Sequence, residues 1–216
     1  MPVYLLSEEL SFPSPDLADE DGLLAAGGDL RPKRLIRAYS EGIFPWYSDD
    51  SPILWWSPDP RLVLFPEELK ISRSLRQCMK KKIFDITIDR AFEQVIRNCA
   101  AIRRKGQTGT WITEEMIQSY TELHRSGHAH SVESWHNGEL AGGFYGILLG
   151  KAFFGESMFA KMSNASKAAF AYFVEHLRQN RIALIDCQVR TDHLISLGAR
   201  EITRKEFLAR LKKALA

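Results

Sequence analysis

The sequence predicts an α+β protein with a small N-terminal subdomain, residues 1–66, and a larger domain, residues 67–216. Three observations support this prediction. The first 66 residues are dense in proline, glycine and aromatic side chains and contain one plausible helix. The rest of the chain alternates between helical and strand-like apolar spacing. Within it, Asn137-Gly138 separates two alternating segments, which is the strongest short signal for a β-hairpin.

The first predicted elements are two helices and a strand. A helix over 31–41 has a proline near its start and a glycine at its end, as helix termini prefer. Ser72 is the expected cap of a helix over 72–82, because its hydroxyl can accept a backbone N–H of the first turn. Apolar residues then alternate over 84–88, which predicts a strand.

The elements from residue 89 onward complete the larger domain. Asp89 and Thr113 are the expected caps of two helices. The later elements are strands 129–135, 139–148 and 151–158, helix 164–179, strand 182–187, and helices 191–197 and 204–215. A strand, two helices, three antiparallel strands, a long helix and a strand follow one another in this order. The layout resembles the acetyltransferase-like fold of the GCN5-related superfamily.

Composition indicates an ordinary globular protein, because hydrophobic residues make up 45% of the 216 residues. No apolar stretch approaches the roughly 18 residues of a membrane span. The N-terminus lacks the basic start and apolar run of a signal peptide. The three cysteines form no CxxC pair and are expected to be reduced thiols. We therefore expect a cytoplasmic monomer with no membrane partner.

Charge is distributed unevenly along the chain. Residues 1–30 carry seven acids and no Lys or Arg, so residues 31–216 hold 29 bases against 20 acids, a net charge of +9. The densest basic segment consists of Arg73, Arg76, Lys80, Lys81 and Lys82. A body this basic is suited to a polyanion, although a run of charges also forms an ordinary solvated face.

Aromatic residues in the loops are candidates for a binding pocket. Trp46 follows a proline in a turn-rich segment, and Trp111 lies just before the cap of a helix. Aromatic side chains most often belong to a core, but rings carried by loops can also line a cavity or stack on a base.

Polar residues at the ends of two apolar strands are candidates for the reacting groups. Glu156 lies inside an apolar segment, and Asp186 and Gln188 end another. By strand alternation Asp186 and Gln188 point to the same side, so the three side chains converge if the two strands are neighbours. A buried carboxylate needs a partner or a wet cavity. The alternative is structural hydrogen bonding at the strand ends.

Other patterns do not support a site. His124, His128 and His130 are divided between a helix end and a strand, so no shared metal face is expected. Gly27-Gly28 and Gly142-Gly143 lack the context of a phosphate-binding loop, and neither Ser134 nor Ser157 lies in a nucleophile elbow. We expect neither a metal nor a cofactor.

Nine strings in the sequence occur together in one family. They are FPSP from residue 12, GGDL from 27, GIFPW from 42, WWSPDPR from 55, GTWIT from 109, GHAHSVE from 127, GESMF from 155, NASK from 164 and LIDCQ from 184. The chain resembles the leucyl/phenylalanyl-tRNA–protein transferases, and WWSPDPR and GESMF are the most specific of these strings.

The resemblance implies a reaction and its substrates. Leu-tRNA and Phe-tRNA are the implied donors, with Met also accepted, and proteins with N-terminal Arg or Lys are the implied acceptors. The product is then marked for degradation by the bacterial N-degron route. The basic segment would contact tRNA phosphates. The residues implied to surround the donor's side chain and terminal adenosine are Trp46, Trp111, Phe153, Met158 and Phe173.

At the reacting end, the resemblance implies catalytic positions for Glu156, Asp186 and Gln188. We expect Gln188, held by Asp186, to orient the attacking amine. Two other functions are weighed against this one. An acetyl-CoA-dependent acetyltransferase would need a Gly-rich turn before the long helix, and residues 160–167 contain no glycine. A non-catalytic RNA-binding module would explain the basic residues but would leave the buried polar groups without a role.

Overall fold

The computed structural model describes residues 3–102 and 111–216. The strands are β1 (Tyr4–Leu6), β2 (Leu23–Gly27), β3 (Phe44–Pro45), β4 (Leu54–Trp56), β5 (Arg61–Leu64), β6 (Asp85–Ile88), β7 (Ala129–His136), β8 (Glu139–Leu149), β9 (Ala152–Ala160), β10 (Leu184–Gln188) and β11 (Arg200–Ile202). The α-helices are α1 (Pro32–Ser40), α2 (Arg73–Lys80), α3 (Phe92–Ala101), α4 (Glu114–Arg125), α5 (Ala165–Gln179), α6 (Asp192–Ser196) and α7 (Arg204–Leu215). None of the helices in these ranges is long and apolar enough to cross a membrane.

Two sheets organise the described residues. The smaller sheet has the order β1-β2-β4-β3, and the larger has the order β11-β5-β10-β9-β8-β7-β6. In the larger sheet β9 and β10 run parallel, whereas the other neighbouring strands run antiparallel. Helices and a mixed sheet in one chain confirm the predicted α+β class.

Strand alternation sends side chains of the larger sheet into two cores. Phe144 and Phe153 lie in one core with α5, whereas Tyr145 and Phe154 lie in the other core with α3, α4 and the N-terminal residues. Because both faces are covered, the central strands are apolar on both sides. This explains why the sequence of β8 and β9 looks almost continuously apolar.

One strand crosses the predicted boundary between the two parts of the chain. β5 lies before residue 66, yet it pairs with β10 and β11 in the larger sheet. The reason is its composition, since all four residues of β5 are buried and need neighbours on both faces. The division into 1–66 and 67–216 stays a prediction.

The helix caps agree with the sequence at two of three positions. Ser72 accepts the N–H of Leu75, and Thr113 accepts that of Met116, which confirms both predicted caps. Asp89 was the wrong choice for α3. Its backbone is left-handed, with φ 59°, and its carboxylate accepts the N–H of Ser131 instead.

Glu133 supplies the cap that Asp89 does not. This fully buried carboxylate on β7 accepts the backbone N–H groups of Arg90 and Ala91, which lead into α3. It also accepts the hydroxyls of Thr87 and Ser131, both at 2.5 Å. A carboxylate at a helix N-terminus is favoured by the helix dipole, so Glu133 ties α3 to the sheet.

Replacing Glu133 with Ala should lower the free energy of unfolding by about 2–4 kcal/mol, because several buried donors lose a charged acceptor. Urea denaturation followed by circular dichroism measures this loss. The control is Glu139→Ala at the exposed start of β8, which should change the free energy by less than about 0.5 kcal/mol. Equal losses in the two variants would contradict the capping role.

Candidate active site

A cavity opens where β9 and β10 stop pairing. The parallel pairing ends at Phe154 and Asp186. The following residues of both strands, 155–160 and 187–189, line a cavity of about 510 Å³. Two neighbouring strands that part in this way create a cleft whose walls carry alternate side chains from each strand.

Apolar side chains from several elements form most of the cavity wall. They are Phe44, Pro45 and Trp46 from the N-terminal region, Ile102 and Trp111 from either end of the α3–α4 connection, and Phe144, Met158, Phe159, Phe170, Ile185 and Leu194. The structure therefore places Trp46, Trp111 and Met158 at the cavity. Trp46 keeps 37% of its surface exposed, which suits a residue at the entrance.

Phe153 and Phe173 lie behind the cavity wall rather than in it. Neither lines the cavity, and their rings pack 4.9 Å apart in the core beside α5. Both contact Phe144, with ring centroids 6.2 and 5.6 Å away. Phe144 does line the cavity, so the two residues contribute by holding that ring in place.

Glu156 and Gln188 meet at the polar end of the cavity. The Gln188 side chain donates from Nε2 to Glu156 Oε1 at 3.3 Å, and both residues are part of the cavity wall. Gln188 has a left-handed backbone, with φ 55°, and the pairing with β5 shifts register between Asp186 and Gln188. This irregularity breaks the strand alternation between Asp186 and Gln188, which was the reason for predicting that their side chains point to the same side of the sheet.

Asp186 lies behind this polar pair. It is fully buried and absent from the cavity wall. Its Oδ1 accepts the Arg61 Nε–H at 2.8 Å and its Oδ2 accepts an Nη2–H at 2.6 Å. Oδ1 also accepts the backbone N–H of Gln188 at 3.0 Å, so Asp186 does hold Gln188, through the main chain.

Arg61 is a residue of the site that the sequence analysis did not single out. Its guanidinium is fully buried between the rings of Phe44 and Phe207, at 4.7 and 4.5 Å from their centroids. Bidentate pairing and two aromatic faces are what a buried arginine requires. The available signal was its position at the end of the WWSPDPR string, before a buried strand.

Tyr39 and Tyr120 were also missed. Their hydroxyl oxygens lie 2.5 Å apart, and Tyr120 donates to Glu156 Oε2 at 3.1 Å. Burial raises the pKa of both phenols well above the usual range, so both remain protonated donors. Tyr120 lies on the buried face of α4 with Met116 and Leu123, and the apolar spacing of that face gives no sign of a polar partner.

The surroundings of Glu156 raise the pKa of its carboxyl group. Burial raises its pKa to about 7, and the negative charge of Asp186 acts in the same direction. The hydroxyls of Tyr39 and Tyr120 and the charge of Arg61 oppose the rise but do not cancel it. A carboxyl group with this pKa can both accept and release a proton near neutral pH.

The predicted basic segment lies on and just after α2. Its five side chains, Arg73, Arg76, Lys80, Lys81 and Lys82, are exposed. None of them forms an ion pair with another residue of the described ranges, and none lines the cavity. The segment is thus a free basic surface beside α5, against which α2 packs. The bases at 103–105 lie outside the described residues.

Two of the three histidines with metal-like spacing, His124 and His130, lie near the same carboxylate. Nδ1 of His130 is 2.7 Å and Nδ1 of His124 is 3.7 Å from the Asp89 carboxylate, so these two share a partner although they come from different elements. Within residues 3–102 and 111–216, no group of three or more potential ligands is placed to hold a metal ion.

Comparison with known proteins identifies the family. The profile of the leucyl/phenylalanyl-tRNA protein transferases matches residues 63–212, and the profile of their N-terminal domain matches residues 28–59. The chain belongs to the leucyl/phenylalanyl-tRNA–protein transferase family. It is an enzyme of that family, and the match at 28–59 confirms the predicted small N-terminal domain.

Relatives in this family align along nearly the whole chain. The leucyl/phenylalanyl-tRNA–protein transferase of Anaeromyxobacter sp. (strain Fw109-5) is 60% identical, over 100% of this chain and 92% of its own. That of Syntrophobacter fumaroxidans is 59% identical, over 98% and 90%. Among solved structures, a GCN5-related N-acetyltransferase from Kribbella flavida covers 76% of this chain and 58% of its own, with a TM-score of 0.37 and 8% identity.

The pKa of Glu156 makes a prediction about stability. The folded protein keeps the Glu156 proton up to about pH 7, whereas the unfolded chain releases it near 4.5. The free energy of unfolding therefore falls as the pH rises between these values. Glu156→Gln removes this loss, so above about pH 7 the variant should be more stable than the parent, by about 3 kcal/mol.

Urea denaturation across this pH range measures the difference between Glu156→Gln and the parent. The advantage of the variant should vanish below pH 4.5, where Glu156 of the parent is protonated in both the folded and the unfolded state. A constant difference between the two proteins at every pH would show that the Glu156 pKa is not raised in the folded state.

Proposed function

We propose that this enzyme transfers Leu, Phe or Met from aminoacyl-tRNA to the N-terminal α-amine of proteins that begin with Arg or Lys. The transfer forms a peptide bond and marks the acceptor for degradation by the N-degron route. The observation that carries the proposal is the cavity itself, which is apolar along most of its wall and ends on Glu156 and Gln188. Such a cavity suits an apolar aminoacyl group with its ester at the polar end.

The apolar wall accounts for the choice of donor. Phe144, Met158, Phe170 and Ile185 offer no charged partner, so a polar donor side chain would lose its hydration without compensation. Met158 is flexible and adapts to either a branched or a flat side chain. The wall therefore suits Leu, Phe and Met.

Two tryptophans are proposed to hold the terminal adenosine of the tRNA. Trp46 and Trp111 come from different parts of the chain and both line the cavity. A nucleobase stacked on an aromatic ring gains about 1–3 kcal/mol. The exposed bases on and after α2 would then contact tRNA phosphates, which makes this part of the binding sensitive to salt.

Positioning is the main contribution to the rate. The donor is an ester and is already activated, and the attacking group is an α-amine with an unperturbed pKa of about 7.7–8.0. Holding an amine against a carbonyl carbon can supply about 7–11 kcal/mol of the barrier. Gln188 is placed to orient the amine through its side-chain carbonyl, because its Nε2 is already engaged by Glu156. Asp186 fixes the backbone of Gln188 from behind.

The proposed reaction is tested by following radiolabelled Leu from Leu-tRNA to a peptide that begins with Arg. The label should appear in the peptide and in a peptide that begins with Lys. The same peptide with an acetylated N-terminus is the matched control, since its amine can no longer attack. Label in neither free peptide, or equal label in the acetylated peptide, would rule the proposed function out.

The shape of the cavity predicts discrimination against Ile-tRNA. Ile branches at Cβ and Leu does not, and we expect the rigid ring of Phe144 on the wall of the proposed pocket to exclude the extra methyl group at that position. Ile should therefore react with a kcat/KM about 10–200-fold below that of Leu. Phe144→Ala should narrow this ratio, because it removes the ring beside the donor side chain. Equal kcat/KM for Leu-tRNA and Ile-tRNA in the parent enzyme would contradict the assigned pocket.

A further inference from the structure

We infer that Glu156 carries a proton from the attacking amine to the departing ribose oxygen, and that Asp186 is a positioning residue that takes up no proton. The inference rests on the proposed function and deepens it. It concerns the step after the amine has attacked the ester.

The chemistry of ester aminolysis requires a proton carrier. Attack by the neutral amine forms the C–N bond and leaves a tetrahedral carbon with a protonated nitrogen and a negatively charged oxygen. From this state the amine leaves more readily than the ribose oxygen, because an amine is the weaker base of the two. The nitrogen must therefore lose a proton, and the ribose oxygen must gain one as the C–O bond breaks. One carboxylate can perform both transfers and return to its starting state.

Asp186 is excluded from this task by its contacts. Both carboxylate oxygens accept hydrogen bonds from Arg61, and Oδ1 accepts a third from the Gln188 backbone. The side chain is fully buried and does not reach the cavity wall. A proton on Asp186 would also leave the buried Arg61 charge without its partner, which is costly.

Glu156 meets the requirements that Asp186 does not. It lines the cavity beside Gln188, whose Nε2 donates to Oε1, and the Tyr120 hydroxyl donates to Oε2. The Tyr39 hydroxyl is a third donor. An ionised carboxylate accepts about four hydrogen bonds, so Glu156 retains capacity for a substrate proton. Gln188 orients the amine next to the same carboxylate, so a proton has a short path.

Titratable and charged groups from five elements surround Glu156 and set its orientation and its pKa. They are Tyr39 on α1, Tyr120 on α4, Tyr145 on β8, Asp186 on β10 and Arg61 on β5. The phenols fix the direction of the carboxylate, and burial holds its pKa near 7. Tyr39 and Tyr120 are thus positioning residues, since they act on the substrate only through Glu156.

The slope of the logarithm of the rate against pH distinguishes proton transfer by Glu156 from a structural role, because this slope counts the groups that must lose a proton before the reaction. In the parent enzyme both the amine and Glu156 must be deprotonated, so the logarithm of the rate should rise with a slope of about two below about pH 6. In Glu156→Gln only the amine titrates, and the slope should fall to about one. The rate at about pH 8 should drop roughly 100-fold or more. Single-turnover transfer of labelled Leu at saturating acceptor peptide measures both quantities without a contribution from acceptor binding.

Three variants complete the experiment. Glu139→Gln, at an exposed position, should keep the parent rate and slope, and Glu156→Asp should keep the slope at a reduced rate because the carboxylate is retained. Asp186→Asn should still reach a slope of about two whatever its rate, but at lower pH, because the Asp186 charge no longer raises the Glu156 pKa. If Asp186→Asn does not fold, the Glu156 variants still decide. A slope of two in Glu156→Gln, or a slope of one at every pH in folded Asp186→Asn, would overturn the inference. Absence of transfer by the parent enzyme would instead refute the proposed function.

Discussion

The buried ion pair between Arg61 and Asp186 is the interaction on which the site depends. It joins β5 to β10, and the guanidinium lies between Phe44 of the N-terminal domain and Phe207 of α7. Burying two charges is costly, and only a bidentate geometry with further hydrogen bonds offsets the cost. Here the additional bond comes from the backbone of Gln188. The pair therefore fixes Gln188 at the polar end of the cavity while it ties the N-terminal region, the larger sheet and the C-terminal helix together.

The cavity is a consequence of the same arrangement. β9 and β10 remain paired as far as Asp186, where the Arg61 contact lies, and most of the residues that these two strands contribute to the cavity wall follow this point. Phe44, which covers Arg61, is followed by Pro45 and Trp46, and all three line the cavity. The N-terminal domain thus contributes part of the cavity wall as well as a cover for the sheet.

Sequence alone could predict what depends on local spacing and not what depends on distant partners. The caps Ser72 and Thr113 follow from spacing along single helices, and the α+β class follows from the order of such elements. The nearness of Glu156 to Gln188 was expected only on the condition that their two strands are neighbours, and β9 and β10 do pair. Arg61 is 125 residues from Asp186, and Tyr39 is 81 residues from Tyr120. No spacing rule connects such pairs. Phe153 and Phe173 were predicted in the pocket but lie in the core behind its wall. Sequence position shows that an aromatic residue is close to the residues of a cavity, but it does not show which way the ring points.

The two carboxylates at the site have opposite surroundings, and this difference divides their roles. Asp186 faces a cation and is enclosed, whereas Glu156 faces neutral phenols and lines the cavity. Pairs of titratable groups in unlike environments are how one site separates a fixed charge from a mobile proton. The negative charge of Asp186 also raises the pKa of Glu156. Asp186 therefore contributes to proton transfer without taking part in it, since it makes its neighbour the stronger base.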